Sequence, residues 1–244
     1  MKVGSFNMEN SDLILSRLAD KDFANKVLEA MCSVAAEIFE NSNNINIDIP
    51  KDFINYLDLF KLIEQPIGFG RRVILAIDGR CGAGKTTLAK IIAKVYGGDF
   101  VSTDDFYLPF ELRTPERMQI PGGHINYERF IRQVIEPIKA GQTTLEYENF
   151  NCFTNTATPL VKSLSSKVIV IEGSYSLHPW IRELYSISTF LDIPDEIQQD
   201  RILKRNGPEK LKMFKDMWIP FEDNYRKAYG IDKYCNIIMT QGCV

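Results

Sequence analysis

The chain has 244 residues, 45% apolar and 25% charged, with 15 Gly and 11 Pro. That composition is ordinary for a globular protein and excludes collagen-like, low-complexity and wholly disordered chains. A net charge of −3, from 29 basic and 32 acidic residues, lacks the basic excess of a dedicated nucleic-acid binder, so no nucleic-acid partner is expected.

The charge is uneven. Residues 1–70 carry six basic and eleven acidic side chains (−5), whereas the remaining 174 carry 23 and 21 (+2). No apolar run is long enough to span a bilayer, and MKVGSFNMENSD at the start has no apolar signal region. Cys32, Cys81, Cys152, Cys235 and Cys243 are scattered without a CxxC pair, which reads as reduced thiols. Together these features predict a cytoplasmic protein with no membrane partner. With only His124 and His178, a His-rich metal centre is excluded.

From Ser11 to about Glu40, Val27, Leu28, Met31, Val34, Ala35 and Ile38 recur at spacings of three and four. This predicts an amphipathic helix, broken near residues 20–22. Its apolar face must be covered by the core or by another subunit, so the N-terminal helices could support a homo-oligomer. After the polar stretch 41–46, a second short helix is expected over Lys51–Glu64, ended by Pro66, Gly68 and Gly70. Residues 1–70 thus read as an N-terminal helical extension.

Beyond Arg72 short apolar runs alternate with helical patterns. Runs at 73–78, 99–102, 167–172, 186–192 and 236–240 are rich in Val, Ile or Phe and read as buried parallel strands. Helices are expected at Lys85–Tyr96, Tyr127–Ala140 and Ile197–Arg205. The alternation predicts a three-layer α/β/α domain over 71–244 with a mostly parallel five-stranded sheet.

The strongest motif is Gly79-Arg80-Cys81-Gly82-Ala83-Gly84-Lys85-Thr86-Thr87, which fits the G-x-x-x-x-G-K-[ST] pattern of a P-loop NTPase between a strand and a helix. Glycines let backbone N–H groups turn inward around phosphate oxygens, and the following helix directs its positive end at the same anion. Lys85 would reach the terminal phosphates and the Thr86 hydroxyl would ligate Mg²⁺. The guanine-reading N-K-x-D motif is absent.

Three further features mark the cleft. Asp104, in Thr103-Asp104-Asp105-Phe106-Tyr107, follows a strand at the carboxyl edge of the sheet, where such folds bind ligands, and can deprotonate a hydroxyl. Glu172 closes a buried strand, a costly position for an acid unless it is paired or near a metal, and is expected in the Mg²⁺ shell. Arg201 and Arg205 are four apart and share one helical face. They could neutralise a transferred phosphoryl group from a lid over 197–215. Arg113 and Arg117 read as solvated loop residues, and His178 as structural. Trp218, Phe221 and Tyr225 read as core.

IDGRCGAGKTT, STDDFY, VIVIEGSY and FLDIPDEIQQDRILKRNG together resemble the uridine kinase / phosphoribulokinase-like group of P-loop kinases over residues 71–244. The resemblance implies ATP and Mg²⁺ as cofactors and Asp104 as catalytic carboxylate. It also implies Thr86 and Glu172 as magnesium-site positions, which Asp104 is expected to join in arranging Mg²⁺, and Arg201 and Arg205 as lid arginines. Tyr147 matches a nucleoside-holding tyrosine, and Tyr107 belongs to the same acceptor side. The histidine that follows that tyrosine at a short distance in uridine kinases is replaced here by Asn151 or Cys152. The expected reaction is transfer of the γ-phosphoryl group of ATP to a hydroxyl of a small molecule, most readily a nucleoside. The alternatives are a sugar phosphate or pantothenate-like alcohol as acceptor, or a non-kinase ATP-driven switch.

Overall fold

A computed structural model of the chain describes residues 18, 20–39, 51–151, 154 and 156–242. The start of the first predicted helix, the polar stretch 41–46, Cys152 and Cys243 lie outside the described residues.

Five strands form one sheet in the order β2-β5-β1-β6-β7, with every described ladder parallel. These are β1 (Val73–Gly79), β2 (Phe100–Ser102), β5 (Val168–Glu172), β6 (Ile187–Asp192) and β7 (Ile237–Thr240), all at the expected places. A separate antiparallel hairpin, β3 (Thr144–Asn151) and β4 (Thr156–Ser163), was not anticipated. In β3 only Leu145 and Tyr147 are buried, so its alternation is too short to stand out in the sequence.

Because successive strand residues face opposite ways, the sheet carries two cores. Leu75 and Ile77 of β1, with Val168 and Val170 of β5, face the helices α1 (Lys21–Phe39), α2 (Leu57–Gly68) and α3 (Lys85–Tyr96). Ala76, Ile169, Ile171 and Phe190 face the other layer. That layer contains the helical run α4 (127–139), which includes a π-turn at Ile131–Ile135, and the run α6 (208–229), with a π-turn at Phe214–Trp218. Helix α5 (Asp195–Asn206) lies between β6 and α6 in the chain.

The apolar face of α1 is covered within the chain. Val27, Met31, Val34 and Ala35 have no exposed surface and share a core with Leu88, Ile92 and Val95 of α3. Glu37 pairs with Lys94 at 3.0 Å, and Phe23 meets Tyr96 with ring centroids 6.1 Å apart. Most of that face is therefore taken up within the chain, and Ile38 at its end is left 47% exposed. The described N-terminal helices thus pack on one face of the same core. The Tyr56 hydroxyl reaches the P-loop, lying 3.4 Å from where a Cβ on Gly84 would stand.

Candidate active site

The P-loop runs from the end of β1 to the start of α3. Gly79 adopts φ 148°, and a Cβ there would lie 2.3 Å from the Leu191 carbonyl oxygen. Only glycine fits, because β1 and β6 are hydrogen-bonded at this point. Gly82 and Gly84 also have positive φ, 78° and 95°, which turns the loop over the α3 N-terminus. Ala83 is buried beneath it, and Thr87 is half-buried on the first turn.

Lys85 folds back over the loop. Its Nζ donates to the carbonyls of Gly79 (2.8 Å) and Arg80 (3.0 Å) and to Ser174 Oγ (3.0 Å). The Thr86 hydroxyl donates to Glu172 Oε2 at 3.3 Å. Sheet order explains this meeting, since β5 lies directly between β1 and β2. Glu172 is thereby placed against both the P-loop helix and the Asp104 turn.

Glu172 is buried, and its carboxyl is pushed up to about 7, first by loss of solvent and then by the charge of Asp104, against hydrogen bonds from Ser102 and Thr86. Asp104 sits in a 3₁₀ turn, Thr103–Phe106, capped by Ser102. Crowding in the cleft raises its carboxyl, while Lys85 and Arg205 lower it. Its side chain is nonetheless open to solvent, and water tempers that rise. Asp105 points elsewhere. It accepts a hydrogen bond from the Tyr147 hydroxyl at 2.9 Å, so Tyr147 is tied to the acid beside the predicted one.

Helix α5 lies across the P-loop. Gln198 donates to the Cys81 carbonyl at 3.0 Å, and Arg201 donates to the Gly82 carbonyl at 3.2 Å. Arg205, one turn on, is exposed and bonds Asn206 at 2.8 Å, while its charge still acts on Asp104. Cys81 is not a reactive thiol, since burial followed by the charge of Glu222 pushes it up to about 12.

Three residues without a role in the sequence motifs, Asp78, Glu222 and Ser174, complete the cleft. Asp78 is buried and accepts from the N–H groups of Gly79, Tyr175 and Leu177 and from the Tyr225 hydroxyl (2.7 Å). It pins the P-loop, the 173–177 loop and α6 together. Glu222 on α6 accepts the Cys81 N–H at 2.9 Å and the Ser174 hydroxyl at 2.7 Å. A carboxylate thus occupies a P-loop amide and reaches Lys85 through Ser174. Only the acid that ends β1, just before Gly79, could have flagged Asp78. Nothing local marks Glu222 or Ser174.

Tyr107 meets His124 (centroids 5.7 Å) and Trp218 (6.1 Å). Trp218 and Phe221 are half-buried against His124, so of the three aromatics expected in the core only Tyr225 is fully packed there. Arg117 is also no solvated loop residue. It bonds both oxygens of Glu128 and the carbonyls of Gly123 and Ile125, bracing the loop that carries His124. His178 is buried between Tyr127 and Tyr229, as a structural residue would be. A hollow of about 600 Å³ lined by Arg132, Gln133, Thr144 and Glu146 contains none of the site residues.

A parallel sheet in the order 2-5-1-6-7, a glycine-shaped anion cradle at the head of α3 and acids at the ends of β2 and β5 define a P-loop nucleotide-binding α/β protein. Comparison with known proteins narrows the class. A 118-residue stretch, 48% of the chain, is 29% identical to uridine-cytidine kinase C of Dictyostelium discoideum. A stretch of the same length is 32% identical to that organism's uridine-cytidine kinase D. The matched stretches span about a quarter of those relatives' length, 26% and 23%. A solved structure described as a possible uridine kinase from Bacillus stearothermophilus has the same fold, with a TM-score of 0.52 at 20% identity over 75% of this chain and 99% of that one. No protein-family model matches. These likenesses agree with the resemblance to the uridine kinase / phosphoribulokinase-like group of P-loop kinases.

Proposed function

We infer that the protein transfers the γ-phosphoryl group of ATP to a hydroxyl of a small molecule, a nucleoside being the acceptor best supported. One observation carries the reading: Lys85 and Thr86, Glu172, and Asp104 come from three separate segments and converge on one P-loop mouth. The likeness to the two uridine-cytidine kinases supports the choice of acceptor.

In this reading the loop from Gly79 to Thr87 holds the phosphates through backbone N–H groups, and Lys85 leaves its carbonyl partners for the terminal phosphates. Mg²⁺ fits the residues present. Thr86 offers a hydroxyl beside the carboxylate of Glu172, whose acidity is suppressed by burial and by Asp104, and a cation would relieve both effects. Mg²⁺ takes only one or two carboxylates beside phosphate and water. It therefore does not need three clustered His, Cys, Asp or Glu side chains, a grouping that does not occur among the described residues. When bound, the ion neutralises charge on the phosphoryl group.

Asp104 accepts the proton of the attacking hydroxyl, its carboxyl kept available by Lys85 and Arg205. Arg201, already on the loop at Gly82, and Arg205 stabilise the charge that spreads over the transferred group. Tyr107 and Tyr147 line the acceptor side. No described helix is long and apolar enough to cross a membrane.

The test is ADP release from Mg·ATP across nucleosides, sugar phosphates and vitamin alcohols. Acceptor-dependent ADP release is expected, and release that ignores every acceptor would point to a switch instead. Asp104→Asn should keep ATP affinity and lose turnover by at least about 100-fold. Unchanged turnover would remove Asp104 from the role of base.

A further inference from the structure

The phosphate cradle is built on glycine, which has more backbone freedom to lose than any other residue. Its three glycines must therefore be held from outside the loop if the N–H groups are to stay turned inward. Gly79 is held by β6, whose Leu191 backbone leaves no room at its Cα. Gly82 lies under α5, where a Cβ would stand 3.7 Å from the Gln198 carbonyl oxygen and 3.8 Å from Arg201 and Ile202. Gly84, at φ 95°, is held by neither. Among the described residues the Tyr56 hydroxyl, at 3.4 Å, is the only group beyond the adjoining residues within 4 Å of where its Cβ would stand.

Tyr56 is itself fixed in place. It is 2% exposed, and its ring stacks on Phe53 with centroids 5.5 Å apart. Its N–H donates to the Phe53 carbonyl at 3.1 Å, and its carbonyl accepts the Phe60 N–H at 3.2 Å. Tyr56 thus forms the joint between the short helix Lys51–Ile54 and α2. The neighbouring Asn55 donates to the Thr240 carbonyl at 3.1 Å, which ties this joint to the end of β7. Phe53 and Tyr56 also share one core with Ala83 of the loop and Leu88 of α3. Both β6 and α5 lie within 71–244, the part of the chain whose motifs carry the family resemblance, whereas Tyr56 comes from outside it.

We propose that Tyr56 is a positioning residue of the phosphate cradle, through which the N-terminal helical layer sets the affinity for nucleotide phosphates. Gly84 precedes Lys85 and Thr86, and its carbonyl accepts the Leu88 N–H at 3.0 Å. Its conformation therefore governs both the last bend of the loop and the first turn of α3. A hydroxyl standing in the place of a side chain limits the excursions of Gly84 without the strain a Cβ would bring at positive φ. A cradle already restricted to its binding shape has less entropy to lose when phosphate arrives, so it binds more tightly. Tyr56 acts through Gly84, from behind the loop. The inference needs only a P-loop that binds nucleotide and is independent of which acceptor is phosphorylated.

The experiment uses the full chain with Mg·ADP as probe, comparing wild type, Tyr56→Leu, Tyr56→Phe and Ile63→Val by titration calorimetry. Ile63 is buried about two turns along α2 from Tyr56, so its truncation loosens the same layer away from the cradle. Tyr56→Leu should weaken ADP binding about 10-fold, the effect of freeing roughly one backbone residue. Tyr56→Phe keeps the ring on Phe53 and lacks only the hydroxyl at Gly84, and should lose about 3-fold. Ile63→Val should lower Tm and leave ADP affinity unchanged. Hydrogen exchange without ligand gives a second readout at the Ala83 and Leu88 N–H groups, which donate to the Arg80 and Gly84 carbonyls at 3.1 and 3.0 Å. Both should exchange faster in Tyr56→Leu and at the wild-type rate in Ile63→Val. Unchanged ADP affinity in Tyr56→Leu overturns the proposal, and so does an equal loss in Ile63→Val, which would reduce Tyr56 to core packing. If Tyr56→Leu does not fold, Tyr56→Phe decides: weaker ADP binding at unchanged Tm upholds the proposal, and unchanged binding overturns it. Absence of ADP binding in wild type also overturns it, whereas ADP binding without turnover of any acceptor removes the kinase reading and leaves the role of Tyr56 standing.

Discussion

Glu222→Gln isolates a competition built into the phosphate cradle. Glu222 is buried and spends one carboxylate oxygen on the Cys81 N–H at 2.9 Å and the other on the Ser174 hydroxyl at 2.7 Å. Ser174 in turn sits 3.0 Å from Lys85 Nζ. Incoming phosphate must share this donor set with an anion already present. A hydrogen bond to a charged acceptor contributes about 1.5–3 kcal/mol, against about 1 for a neutral one. Gln keeps the shape and removes the charge, so the competing hold weakens by about 1 kcal/mol or more. ATP should therefore bind roughly 5- to 10-fold tighter. Because repulsion scales with ligand charge, ADP should gain less and adenosine nothing. Titration calorimetry with the three ligands at fixed salt and Mg²⁺ reads this directly. Equal or weaker ATP binding in the variant would refute the reasoning and leave Glu222 as a brace of the loop.

Asp78 makes stability depend on pH. Burial outweighs its four hydrogen bonds and raises the carboxyl from 3.8 to about 6. The folded state thus binds a proton more tightly than the unfolded one. Its contribution is complete below 3.8 and is lost as pH rises through about 6, on the order of 3 kcal/mol. Wild type should gain that much relative to Asp78→Asn between pH 7 and pH 4, measured as the difference in urea unfolding, which cancels the opposing histidines. Gly79→Ala should cost roughly 3 kcal/mol or more, from positive φ together with a clash against Leu191. Gly97→Ala, at φ 67° with nothing within 4 Å, should cost only about 1–2 kcal/mol. Thermal melts of the two glycine variants check the ordering, and equal losses would show that the Leu191 contact is relieved cheaply.

What was legible in the sequence is what depends on near neighbours. The five parallel strands announce themselves as short Val- and Ile-rich runs, and the P-loop by glycine spacing between one such run and a helix. Asp104 and Glu172 stand out because each ends a strand, where α/β sheets present side chains to ligands. The hairpin was illegible, since too few of its residues are buried to impose a period. Pairings across long separations were also beyond reach. Glu222 meets Cys81 across 141 residues, and His124 meets Tyr175, Trp218 and Phe221 only once the sheet order and α6 are in place. The anion cradle and the acids near it can be read from the residues in order, because backbone geometry and strand ends are local properties. Only tertiary contacts reveal that the N-terminal helices pack on one face of the sheet, that a carboxylate competes in the cradle, and that two orphaned polar groups, on His124 and Tyr175, share an aromatic cluster. Each depends on which distant segments the parallel crossovers bring into contact.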